Sequence, residues 1–221
     1  MDSIWASSWT PSGRHHGLHL GVIMDSTLSF QQHIKNTTKT AFYHLQNISR
    51  LRQWLSNSVA ETLIHSFITS RLDYCNGILF GLPSKSTDRL QYVQNSAARM
   101  LTHTKLGLHI TPILKKLHWL PIKSRIKYKI LLLTYKSLHG LAPQYLTDLL
   151  HPYTQSRSLR SSDKDLLAVP NSRLRTFGDR AFCVSAPSLW DKLPLAIRSA
   201  SSIITFITQL KTYLFTEAYG I

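Results

Sequence analysis

Asp73, Tyr74 and Cys75 stand side by side in the stretch RLDYCNGILFG, residues 71–81, and an acid, a phenol and a thiol are ingredients of nucleophilic catalysis. A cysteine nucleophile needs a general base and a group that orients it. Helical spacing argues against that use here. Ile64, Ile68, Leu72, Cys75 and Leu79 follow one another at steps of four, four, three and four, which places Cys75 in an apolar stripe. At about 100° per residue, Asp73 lies about 200° around the helix from Cys75, so the two cannot cooperate. A thiol in apolar surroundings has a raised pKa and is inert. The spacing therefore assigns Cys75 to the core. It leaves Asp73 as one of 11 acids facing 26 lysines and arginines, expected to pair with an arginine of the neighbouring helix, Arg99 first.

The other chemical groupings are weaker. Asp163 and Asp165 flank Lys164 in a loop-like stretch, and no two aspartates are adjacent anywhere, whereas two-metal catalysis needs carboxylates converging on ions about 4 Å apart. A Walker loop and a G-x-G-x-x-G turn are absent. His15 and His19 have the i,i+4 spacing of a helical metal pair, but Gly17 lies between them and no glutamate follows in a zincin pattern. No metal site and no cofactor is expected. Cys75 and Cys183 lie far apart with no C-x-x-C, which argues against a zinc knuckle or disulfide scaffold and suits a reducing, intracellular setting, nucleus or cytoplasm. No run reaches about 18 apolar residues, so no membrane partner is expected.

Charge is the informative quantity. The 221 residues carry a formal net charge of +15. Such an excess repels itself in the compact state and favours polyanionic partners. Between Lys85 and Lys136 stand eleven basic residues, opposed by Asp88 alone, which puts ten of the fifteen net charges in less than a quarter of the chain. Lys123 and Lys127 are four apart, as are Arg125 and Lys129, with Lys136 two turns on; they flank a broad apolar face built on Ile126, Ile130 and Leu133. Solvated helix faces usually mix signs, because opposite charges at i,i+4 stabilise a helix by about 0.2–0.5 kcal/mol and like charges oppose it similarly. This face contains no acid. Lys115, Lys116, Lys123, Arg125, Lys127, Lys129 and Lys136 are thus the expected phosphate contacts. Trp119, Tyr128 and Tyr135 lie among them and could stack on bases, though such spacing more often means core. A second patch, Arg157, Arg160, Lys164, Arg173, Arg175 and Arg180, is partly offset by Asp163, Asp165 and Asp179.

The elements that must position these residues are mostly helical. Leu18, Leu20 and Val22 alternate as one strand leading into a turn at residues 25–27. Apolar residues at three- and four-residue steps predict helices over 30–55, from 58 to the stop at Gly81 and Pro83, and over 86–104 and 123–139. Ser58 with Glu61 has the form of a capping box. Pro112, Pro121 and Pro143 are placed to open helical turns. Beyond residue 151 the texture changes: loop, strands around 166–169 and 174–177, an irregular SAPSLWDKLP, and a final amphipathic helix. The expected fold is mainly α: a helical bundle with a short N-terminal β remnant and a small mixed α+β C-terminal piece. The expected divisions are a poorly ordered leader 1–17, a strand remnant 18–30, a helical domain 31–151 and a mixed segment 152–221.

LGVIMDSTLSFQQHI, SFITSRLDYCNGILFGLP, LQYVQNSAAR, LHWLPIKSRIKYKILLLTYKSLHGLAPQYL and SAPSLWDKLP, in this order, resemble the C-terminal part of the reverse transcriptase of non-LTR (LINE-type, jockey-like) retrotransposons. The resemblance covers nearly everything from residue 20 to 215. It implies that Leu20, Gly21, Val22 and Asp25 correspond to a primer-grip-like strand and turn at the end of the palm. It implies that 31–151 corresponds to the thumb and the segment beyond it, which hold template and primer through the backbone. The chain departs from the family in lacking the aromatic-Ala-Asp-Asp motif, the fingers, most of the palm, the endonuclease and any terminal Cys/His cluster. The resemblance therefore implies a non-catalytic fragment that binds RNA or RNA–DNA duplex without sequence preference and is not itself a polymerase. The alternative is a helical interaction or structural protein, or an orphan retroelement fragment without a present role. Its exposed palm-facing residues, Val22 and Ile23, would then drive self-association.

Overall fold

The computed structural model describes residues 17–19, 21–153, 165–174 and 176–220. The chain is mainly α-helical, as the periodicity predicts. At its start β1 (Gly17–His19) pairs antiparallel with β2 (Val22–Met24). The single expected strand is thus a hairpin, turning at Gly21, whose φ of 80° suits glycine. Asp25 closes the next turn by accepting from the Ser29 N–H (2.7 Å), the Ser29 hydroxyl (2.7 Å) and the Thr27 hydroxyl (3.0 Å). Burial works against the ionised carboxyl, but these hydrogen bonds outweigh it and hold its pKa below the usual aspartate value.

α1 (Gln31–Leu51) lays Ile34, Ala41, Leu45 and Ile48 into the core and packs on α4 (Ser84–Thr102). Between them come α2 (Asn57–Ile64), a π turn (His65–Thr69) and α3 (Ser70–Asp73). The N-cap of α2 is Ser56, whose hydroxyl accepts from the Val59 N–H at 3.3 Å, so the cap lies two residues before the expected capping box. The wide turn has a cause in the spacing. Each four-residue step overshoots a full α turn by about 40°, and the extra residue of a π turn absorbs that drift. Ile64, Ile68 and Leu72 stay buried as a result.

The helix then stops at Asp73, not at Gly81. Tyr74 is extended, Cys75 is left-handed at φ 51°, and a 3-10 turn (Asn76–Leu79) follows. Cys75 is exposed. Its expected place in the core is corrected: the chain reverses before the stripe reaches it, and Asn76 and Leu79 are buried instead.

α5 (Thr111–Lys116) carries Pro112 in its first turn, and α6 (Ile122–Leu138) follows Pro121. Two glutamines of α4 hold this junction: Gln94 Nε2 donates to the Leu120 carbonyl (2.9 Å), and the Ile122 N–H donates to Gln91 Oε1 (2.9 Å). Ala97 and Ala98 of α4 are wholly buried. Gly140, at φ 67°, follows α6, and α7 (Gln144–Thr147) follows Pro143.

Among the described residues beyond 151, the expected strands are reduced to one isolated bridge, Pro152 to Leu167, and residue 175 of the strand expected at 174–177 lies outside them. Residues 176–177 form a turn that leads into a 3-10 turn (Gly178–Arg180). SAPSLWDKLP, expected to be irregular, lies largely within α8 (Phe182–Trp190), which contains Pro187. That proline removes one helical donor, and the buried Ala186, Leu189 and Trp190 hold the helix in place. α9 (Leu195–Arg198) and α10 (Ile203–Tyr219) complete the chain.

α6 is the axis of the molecule. It packs on α3, α4 and the 76–79 turn from before it and on α8 and α10 from after it. Tyr135 sits at the centre, its hydroxyl donating to the Ala200 carbonyl at 3.0 Å and its ring 4.2 Å from Phe206. The segments divided in the sequence at residue 151 therefore share one core, which continues through Trp190, Phe206, Leu210 and Leu214.

Candidate nucleic-acid interface

The seven basic residues singled out in the sequence divide into two groups. Lys115 and Lys116 are exposed on α5. On α6, Lys123 is exposed with its Nζ donating to Ser84 Oγ (3.1 Å), and Lys129 and Lys136 are half-buried with aliphatic stems against the body. None of these five has a carboxylate within 4.0 Å among the described residues. Arg125 and Lys127 do: Arg125 Nη1 meets Asp73 Oδ1 at 3.3 Å, and Lys127 Nζ meets Glu217 Oε1 at 2.8 Å. The acids absent from α6 itself come from α3 and α10, far away in sequence. Even so, among the described residues Arg125 and Lys127 alone of the lysines and arginines have a carboxylate within 4.0 Å.

The expected Asp73–Arg99 pair is corrected. Arg99 turns toward the end of its own helix, where His103 is left-handed, and donates to the carbonyls of Lys105 (2.9 Å) and Leu108 (2.8 Å). Both carbonyls belong to the loop between α4 and α5. α3 meets α6 face to face, so the arginine within reach of Asp73 is Arg125. Burial raises the Asp73 pKa above the usual value, although Arg125, Lys129 and His65 all pull it down.

Asp73 and Arg125 belong to the wall of a cleft of about 760 Å³ between α2, the 117–120 linker, α6 and α10. Lys129 and Lys211 add two further cations, and Glu61 is the other acid. Its histidines are His65, 3.7 Å from Glu61 one turn before it, and His118. Rings make up the rest: Tyr128 is half-buried, and His118 stacks on Phe215 at 5.6 Å and 30°. Trp119, also at the cleft, is 6% exposed, so together with Tyr135 it is core and offers no open stacking face. Tyr219 donates its hydroxyl to the Trp119 carbonyl at 2.5 Å, and burial pushes its phenol up to about 12.

His118 reaches this position because it ends α5 in the left-handed conformation (φ 54°), with the Trp119 N–H bonded to the Leu114 carbonyl (2.9 Å) and the His118 N–H to that of Lys115 (3.0 Å). That is a Schellman-type end, where glycine is the usual residue. The sequence reading missed His65, His118, Lys211 and Phe215. The i,i+4 step from Glu61 to His65 was its available signal; the other three come from separate elements that only the fold brings together.

The residues expected to form a primer-grip-like strand lie elsewhere. Leu20 falls outside the described residues, Gly21 is the hairpin turn near the Tyr74 ring, Val22 is buried against α1, and both oxygens of Asp25 are taken by its own turn. Val22 is 6% exposed and Ile23 half-buried, so neither offers the exposed apolar surface expected of a self-associating remnant. Of the second basic patch, Arg157, Arg160, Lys164 and Arg175 fall outside the described residues, as does Asp163. Arg173 is exposed. Arg180 serves the fold, donating to the carbonyls of Phe80 (3.2 Å) and Leu28 (2.9 Å) and lying over the Phe30 ring. His15 and residues 1–16 as a whole lie outside the described residues, and no metal-holding trio of His, Cys, Asp or Glu occurs among those described. No described helix is long and apolar enough to cross a membrane.

No family model matches the sequence, and neither a curated protein nor a solved structure is significantly similar to it.

Proposed function

We propose that this chain is a non-catalytic relative of the thumb region of LINE-type reverse transcriptases that binds RNA or RNA–DNA duplex through backbone phosphates, without sequence preference. The observation that carries the reading is uncompensated charge. Lys115, Lys116, Lys123, Lys129 and Lys136 have no carboxylate within 4.0 Å among the described residues, in a chain of net charge +15. Such residues release counterions from a phosphate backbone, and that release supplies most of non-specific affinity. The ancestry is supported by the ordered motifs from residue 20 to 215. The absence of an aromatic-Ala-Asp-Asp motif from these 221 residues supports binding without polymerisation. Arg125 and Lys127, held by Asp73 and Glu217, contribute less than the free lysines.

The test is affinity for an RNA hairpin and an RNA–DNA duplex across 50–200 mM salt. Log K is expected to fall linearly with log salt, by roughly 0.7–0.9 per phosphate neutralised. Replacing Lys115, Lys116, Lys123 and Lys136 by alanine together should lower that slope by about 3. Binding indifferent to salt, or a slope unchanged in the fourfold variant, would refute the reading.

A further inference from the structure

The cleft beside Arg125 shares Arg125 and Lys129 with the basic face but has a shape that duplex binding does not use. Its volume of about 760 Å³ is that of a small-ligand pocket, typically about 300–1,000 Å³. A duplex is too wide to enter it, whereas one nucleotide fits. Arg125 and Lys129, a turn apart on α6, and Lys211 on α10 gather three cations at one place. A phosphate satisfies such a cluster through charge-assisted hydrogen bonds. The His118–Phe215 stack forms an aromatic wall, with His118 exposed and Phe215 half-buried, so a ring face is open to a base.

Asp73 adds selectivity. Its Oδ1 takes both the Arg125 guanidinium and the Asn76 amide, each at 3.3 Å. Its side chain is 39% exposed and lines the cleft, so the carboxylate is not sealed from it. An open carboxylate oxygen accepts N–H donors and repels acceptor nitrogens. Guanine presents two neighbouring donors, N1–H and the N2 amino group, on its pairing edge. Adenine and cytosine place an acceptor nitrogen beside their single amino group, and uracil has one N–H between two carbonyls. That edge is free only when the base is unpaired.

We propose that the cleft is a pocket for one unpaired nucleotide, guanine preferred, with its phosphate on Arg125, Lys129 and Lys211, its base against the His118–Phe215 wall and its N–H edge on Asp73. The inference rests on the nucleic-acid reading above and names where an unpaired strand would engage. The residues that test it are not those replaced in the duplex experiment.

Calorimetric titration of the full chain with GMP, AMP, CMP, UMP and inorganic phosphate tests it directly. GMP should bind at least about fivefold more tightly than the other nucleotides, and inorganic phosphate more weakly than any of them. The Lys129→Ala/Lys211→Ala double variant should weaken GMP about tenfold or more while changing the duplex salt slope by no more than about one. Asp73→Asn should remove the preference for GMP over AMP and leave nucleotide binding itself in place, with circular dichroism confirming the fold. A uridine oligonucleotide with one central guanosine, compared with the same oligonucleotide without it, distinguishes an unpaired base of a strand from a free nucleotide. GMP binding no tighter than inorganic phosphate, or unaffected by the double lysine variant, would overturn the pocket. A normal duplex salt slope in that same case would leave the backbone reading standing.

Discussion

Replacing Cys75 by glycine separates two accounts of one residue by the sign of the result. In the structure Cys75 holds φ 51° and ψ 22° and its side chain is exposed. The left-handed conformation costs an L-residue about 1–2 kcal/mol, and glycine is free of that cost. Glycine also loosens the unfolded chain, which returns about 0.5–1 kcal/mol of the gain. The exposed thiol gives up little apolar contact, so Cys75→Gly should stabilise by about 0.5–1 kcal/mol. For a chain of this length that is a rise of about 1–4 °C in Tm. Cys75 within a buried helical stripe would behave in the opposite way: glycine in a helix costs about 1 kcal/mol, and the lost burial adds about another 1. Thermal melts by circular dichroism, with urea unfolding as a second measure, read the difference. Cys75→Ala is the control, since alanine keeps the strain and should stay within about 0.5 kcal/mol of the parent. A fall in Tm for the glycine variant would refute the left-handed, exposed Cys75.

Two further expectations concern titration. The Asp73 carboxyl should titrate above an ordinary aspartate, followed by NMR of its side chain; Arg125→Ala should push it higher and Arg99→Ala should leave it unmoved. Because folding raises this pKa, its contribution to stability is full below the unfolded value of 3.8 and declines as pH climbs through the folded one. A shift in Arg99→Ala equal to that in Arg125→Ala would contradict the pairing. Tyr219, at about 12 in the fold against 10.0 when unperturbed, should be the last of the tyrosines with raised pKa values to form phenolate in an ultraviolet titration. Stability should fall as pH rises through that interval, and Tyr219→Phe should flatten the fall; an unchanged alkaline profile in that variant would count against the buried phenol.

Helices were legible in the sequence wherever one face alone was buried. The periodic residues Ile34, Ala41, Leu45 and Ile48 gave α1, and Pro112, Pro121 and Pro143 marked helix starts within a residue or so. α8 was not legible, because two prolines read as punctuation when one of them sits inside a helix held by Trp190 and Ala186. Cys75 was misplaced because its spacing continues the apolar stripe past Asp73, where the helix ends. The charged residues were found by type and spacing, but their partners were not. Asp73 and Glu217 reach α6 only through tertiary packing, and Arg99 turned to carbonyls that no count of acids and bases reveals. The cleft was invisible for the same reason, being assembled from α2, α6, α10 and the linker after α5.

The position of α6 bears on how the protein is made. A ribosome delivers α6 with α3 and α4 already available, but about 65 residues before the start of α10. At about 5–20 residues per second that interval lasts roughly 3–13 s. Throughout it, the side of α6 destined for α10 has nothing to cover it, and Lys127 stands without Glu217. The nascent chain then presents that apolar side together with the unpaired Lys127, beside the ribosomal RNA. Synthesis halted after α7 would leave that state permanent.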